Sequence, residues 1–142
     1  MSSLGLERTF AMVVGAVLIV LGLAGSVGNP IVGRPDTTGI IVTGFGHDLL
    51  HLVCGALFLH VGVALNGRYR AYGLIGLGIV LLATGVLSLL SSDLLGFYGA
   101  PTSGFDQLGH LLLGIAAIVV GWLGRGVERR EFGRAVSRPI RD

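Results

Sequence analysis

The chain has 142 residues, 52% of them hydrophobic and only 13% charged, with a mean hydropathy of +0.83. A typical soluble domain carries about 25% charged residues, so the composition excludes an ordinary water-soluble fold and indicates an integral membrane protein. The net charge of +2 offers no basic patch for nucleic acid, and the single Cys54 excludes an intrachain disulfide and any paired-cysteine metal or redox motif.

Four apolar runs follow one another: Phe10 to Val27, Ile40 to Leu65, Tyr72 to Leu90 and Leu108 to Leu123. Each is near the roughly 17 to 25 residues that cross about 30 Å of hydrocarbon as a helix. They are continuous rather than alternating, which argues against a transmembrane barrel. The expected fold is all-α integral membrane, four transmembrane helices arranged as two parallel-repeat helical hairpins. One transmembrane domain then occupies residues 1–124, and 125–142 form an Arg-rich tail. Arg8 before the first run and Ala24, Gly25 and Ser26 after it resemble a secretory signal. The run has a counterpart later in the chain, so it is expected to be a retained span.

Every basic residue is arginine, and Arg34 alone lies on the far side of the spans from the other nine. The positive-inside bias therefore predicts a multi-pass protein of the cytoplasmic membrane, with both termini and the NGRYRA loop inside. Tyr69, Tyr72 and Trp122 are expected at the inner interface, and Phe97 and Tyr98 at the outer one. The tail RGVERREFGRAVSRPIRD contains Glu128, Glu131 and Asp142 among its arginines, and reads as solvated and topology-setting.

Displacing the sequence by 59 residues lays HLVCGALFLHVG (His51 to Gly62) over HLLLGIAAIVVG (His110 to Gly121). GFGHD (Gly44 to Asp48) similarly matches GFD (Gly104 to Asp106), with one residue's difference in spacing. The first and third runs match at an offset of 61, and Gly15 with Gly22, and Gly76 with Ala83, share a seven-residue spacing that makes them candidate counter-surfaces for the second and fourth runs. A helical hairpin used twice gives parallel repeats, with equivalent residues at equal depth. His51, Gly55 and Gly62 share one helical stripe, as do His110, Gly114 and Gly121. Small residues on such stripes let helices approach closely, so these four glycines are candidate packing surfaces. Each histidine lies roughly 21 Å from the cytoplasmic end, at about 1.5 Å per residue.

Asp48 precedes His51 by three residues and Asp106 precedes His110 by four, so each acid shares a helical face with its histidine. The favoured reading joins Asp48, His51, Asp106, His110 and His47, with Gln107 and Thr43, in an interhelical polar network that fastens the outer helix ends. That reading needs no cofactor. The alternative is that His51 and His110 ligate a haem b or a metal ion, as in an electron-transfer subunit. A proton or ion path through His47, Asp48, His51 and His60 is third. It is opposed by His60, which is nine residues past His51 and so on the opposite face. Cys54 reads as a small packing residue. No nucleophile-base-acid set or phosphate loop is visible, and no enzyme activity is expected. GAPTSGFDQ (Gly99 to Gln107) reads as a turn followed by a helix cap.

The repeated acid-His-Leu-x-x-Gly pattern, on Asp48, His51, Leu52 and Gly55 and again on Asp106, His110, Leu111 and Gly114, resembles the bacterial membrane family called domain of unknown function 4383. The resemblance spans Phe10 to Trp122 and implies four spans, with no activity, cofactor or partner attached. The expected role is that of a non-catalytic accessory or scaffold subunit in the lipid bilayer, packing as a homo-oligomer or within a larger membrane complex.

Overall fold

The computed structural model describes residues 3–27, 32–33 and 41–136. Arg34, Arg138 and Arg141 lie outside the described residues. In chain order the elements are α1 (Ser3–Val27), β1 (Val32–Gly33), β2 (Ile41–Val42), α2 (Phe45–Ala64), α3 (Gly67–Leu90) and α4 (Gly104–Val136). All four helices contain a stretch long and apolar enough to cross a membrane. Only 28–39% of the most apolar part of each is buried within the molecule. The outward faces of the bundle are left apolar, as a lipid environment requires.

Several helix boundaries differ from the apolar runs; α1 starts at Ser3 rather than Phe10, and α4 continues to Val136, into the expected tail, rather than ending at Leu123. α2 starts at Phe45 rather than Ile40, because Ile41–Val42 instead pairs in parallel with Val32–Gly33 and the chain stays extended through Gly44. α3 starts at Gly67, so Arg68, Tyr69 and Arg70 lie on a helix rather than in a loop. α4 starts at Gly104 because Ser103 and Asp106 cap it reciprocally. The Asp106 amide donates to Ser103 Oγ at 3.2 Å, while the Asp106 carboxylate accepts from the Ser103 amide at 3.2 Å and from its hydroxyl at 2.8 Å.

α1 packs along α2 and α3 along α4, and the two hairpins join through α1 against α4 and α2 against α3. Glycines set both main crossings. A Cβ on Gly55 would stand 2.9 Å from the Gly15 carbonyl oxygen, and one on Gly114 would stand 2.8 Å from the Gly78 carbonyl oxygen. Leu52 and Leu59 lie against Gly22 and Gly15, and Leu111 and Ile118 lie against Gly85 and Gly78 in the same way. Gly62 faces Ala11 and Met12, and Gly121 faces Ala71 and Ile75.

These contacts correct the counter-surface expected on the third span. Gly76 has open space where a Cβ would be, and Ala83 is exposed. Gly78 and Gly85 form the crossing, 63 residues after Gly15 and Gly22. The apolar composition had permitted a two-residue slip, which only the contacts resolve. Leu18, Phe58, Leu74 and Leu81 form the centre of the core, with Cys54 packed among them.

At the end where α1 and α3 begin, Glu7 and Arg70 are both buried, and Arg70 Nη2 donates to Asn66 Oδ1 at 3.1 Å. Tyr69, Tyr72 and Trp122 are exposed, and the Arg125 guanidinium lies 5.4 Å from the centre of the Tyr72 ring. His60 is exposed, on the opposite side of α2 from the buried His51.

Candidate metal centre

His47 and His51 are one helical turn apart and so project from one face of α2. His110 reaches the same point from α4. The ring centres lie 4.4 Å apart for His47 and His51, 5.4 Å for His47 and His110, and 5.6 Å for His51 and His110. All three side chains are buried, His47 completely. One nitrogen from each lies within 4.8 Å of the others.

A fourth ring closes the cluster. Tyr98 is fully buried, its ring 4.7 Å from that of His47. Tyr98, expected among the interfacial aromatics, turns inward, while the neighbouring Phe97 is exposed. The cause is the loop between α3 and α4, in which Leu94, Leu95, Gly96 and Gly99 all have positive φ. Two successive leucines in the left-handed region cost roughly 1–2 kcal/mol each. Ser91 offsets part of that cost, its hydroxyl accepting from the Leu95 amide at 2.9 Å, and the Tyr98 amide is tied back to the Asp93 carbonyl at 3.0 Å. The loop then folds over the first turn of α2, where Gly44 and Gly46 lie against the backbone of Phe97 and Tyr98 and leave no room for a Cβ.

The expected pairing of each histidine with its neighbouring carboxylate is replaced by another arrangement. His110 Nδ1 lies 2.8 Å from the main-chain carbonyl of Asp106, while the Asp106 carboxylate is engaged in the cap at Ser103. A carbonyl can only accept, so His110 carries its proton on Nδ1 and turns a bare Nε2 lone pair toward the cluster. The Asp48 carboxylate lies against Gly25 of α1 and lines a cavity of about 520 Å³ between α1 and α2. Gln107 bridges helix ends as expected, donating to the Ser88 carbonyl at 3.0 Å.

Among the described residues, buried polar atoms without a hydrogen-bond partner crowd this end of the bundle, among them both nitrogens of His47, Nδ1 of His51, Nε2 of His110, the Tyr98 hydroxyl and the Thr43 hydroxyl. An unsatisfied buried donor or acceptor costs about 1–3 kcal/mol, and native proteins have only a few per hundred residues. Burial beside Cys54 and Asp106 also raises the Tyr98 phenol to about 12, which keeps it neutral.

Three imidazoles with free lone pairs form a ligand set suited to zinc, copper, iron or nickel. Tetrahedral metal-nitrogen bonds of about 2.0–2.1 Å require donors about 3.4 Å apart, a modest contraction of the observed cluster. A haem fits less well. His51 and His110 lie side by side with their planes only 19° apart, rather than end-on to opposite faces of a macrocycle, and His47 packs against both. His47, His51 and His110 were legible as site residues in the sequence, and Tyr98 was not. The only signals for Tyr98 were Gly96 and Gly99 on either side of it.

Compared with known protein families, curated proteins and solved structures, the chain matches none.

Proposed function

We propose that this chain is a membrane-embedded metal-binding protein in which His47, His51 and His110 hold one transition-metal ion near the outer end of the bundle. The observation that carries the reading is the set of unpartnered imidazole nitrogens, buried and within 4.8 Å of one another. A fastener would pair its polar atoms. This cluster leaves them bare, and a cation bound by their lone pairs removes that penalty.

In this reading the protein is a non-catalytic subunit of the cytoplasmic membrane, with both termini inside, associating with itself or with a larger complex. The arginine distribution supports the orientation. The alike contacts of Gly15 with Gly55 and Gly78 with Gly114 support a duplicated hairpin as its origin. The test is elemental analysis of protein purified from its native membrane. One metal ion per chain is expected, lost in both His47→Ala and His110→Ala. A metal-free wild type that also shows no thermal shift with Zn²⁺, Cu⁺ or Fe²⁺ would sink the proposal.

A further inference from the structure

A second cavity, of about 130 Å³, lies beside the imidazoles. Leu18 and Leu21 of α1 and Phe105 and Gly109 of α4 line it, and His51 and His110 form part of its wall. It lies where the two hairpins meet, on the apolar flank of the bundle, and Phe105 and the neighbouring Leu108 and Leu112 are mostly exposed there. Gly109 leaves it open: a Cβ at that position would meet nothing within 4 Å.

Three protein ligands leave a tetrahedral ion with one vacant position, the arrangement of sites that take an external ligand. The cleft limits what that ligand can be. Its lining is almost wholly hydrocarbon, and its one carboxylate, Asp106, disfavours anions. Its volume is below the 150 Å³ or so of a cavity that holds a single benzene, so what it encloses beside the imidazoles is smaller than a ring.

Resting on the metal reading above, we propose that the open position takes an uncharged diatomic molecule of the dioxygen class, which reaches it from the bilayer through the cleft between α1 and α4. Apolar gases concentrate in hydrocarbon, so a lateral opening in the bilayer supplies them where a polar route from the outer surface would supply water and ions.

Carbon monoxide on the Cu⁺-loaded, full-length protein in lipid nanodiscs is the probe. Infrared spectroscopy should show one bound CO per copper. Flash photolysis should show rebinding at least tenfold slower in Gly109→Leu, with an intermediate rate in Gly109→Ala, while copper content stays at the wild-type level. Wild-type protein that takes up no copper overturns the metal reading and this proposal with it. Copper without bound CO, or rebinding in Gly109→Ala and Gly109→Leu as fast as in wild type, overturns the proposal alone.

Discussion

Gly114→Ala adds one methyl group at the crossing of α3 and α4. Its Cβ would stand 2.7 Å from the Leu82 amide nitrogen and 2.8 Å from the Gly78 carbonyl oxygen. Both are backbone atoms, so no side-chain rotation relieves the contact. Restoring a separation of about 3.5 Å requires the helices to part by about 0.7 Å. Gly78 is itself pressed against the Gly114 carbonyl, so the parting would open the whole stripe. Overpacking of this kind costs about 1–3 kcal/mol. For a chain near this length that is about 2–4 °C per kcal/mol, so a fall of about 2–12 °C in Tm is expected. The control is Gly76→Ala on the outer face of α3, where a Cβ meets nothing within 4 Å and the helix gains up to about 1 kcal/mol in propensity. Thermal unfolding of both variants in one detergent, followed by circular dichroism, makes the comparison. Equal Tm values, or a lower one for Gly76→Ala, would refute the close-contact role of Gly114.

Zn²⁺ at a hundred times its Kd should stabilise the wild type by about 2.7 kcal/mol, read as a rise in Tm, and should leave His47→Ala unmoved. The same rise should shrink on acidification, because protons compete for the imidazole lone pairs that the metal needs. Ser103→Ala removes the cap of α4 and should cost about 0.5–2 kcal/mol in an SDS unfolding titration while leaving metal content intact. Reporter fusions at Met1 and Asp142 should both report a cytoplasmic location; a periplasmic signal from either would reverse the proposed orientation.

The four spans were legible because hydrocarbon imposes a simple demand: about twenty apolar residues with every backbone group satisfied inside one helix. The glycine stripe on α2 and its counterpart on α4 were legible for a related reason, since both fall on one face at helical spacing. The boundaries were less so. Ile40 to Thr43 is as apolar as a span, and only the extended conformation through Gly44 shows that α2 begins later. The third helix misled most, because Gly76 with Ala83 and Gly78 with Gly85 both have a seven-residue spacing and composition does not choose between them. Tyr98 was illegible because its burial depends on a loop with four positive-φ residues, a shape fixed by contacts with Ser91, Asp93 and α2 rather than by local propensity.

The site itself shows why a near-repeat in sequence gives an asymmetric cluster. The offset of 59 that aligns His51 with His110 also aligns His47 with Asp106, and Thr43 with Thr102. Each hairpin thus brings one histidine at the repeated position, and one turn earlier the first has an imidazole where the second has a carboxylate. Two carboxylates there would both cap helices, leaving two histidines and too few donors for a metal. Two imidazoles would leave α4 without its reciprocal cap at Ser103. The actual division lets α4 keep a satisfied helix start, whose Asp106 carbonyl fixes the His110 tautomer, while α2 supplies the third nitrogen. Because α2 starts at an extended glycine with no side-chain cap, His47 remains free to turn inward, and the Tyr98 loop closes over it. In the proposed metal site, the difference between the two similar segments therefore falls at the position that supplies three donors rather than two.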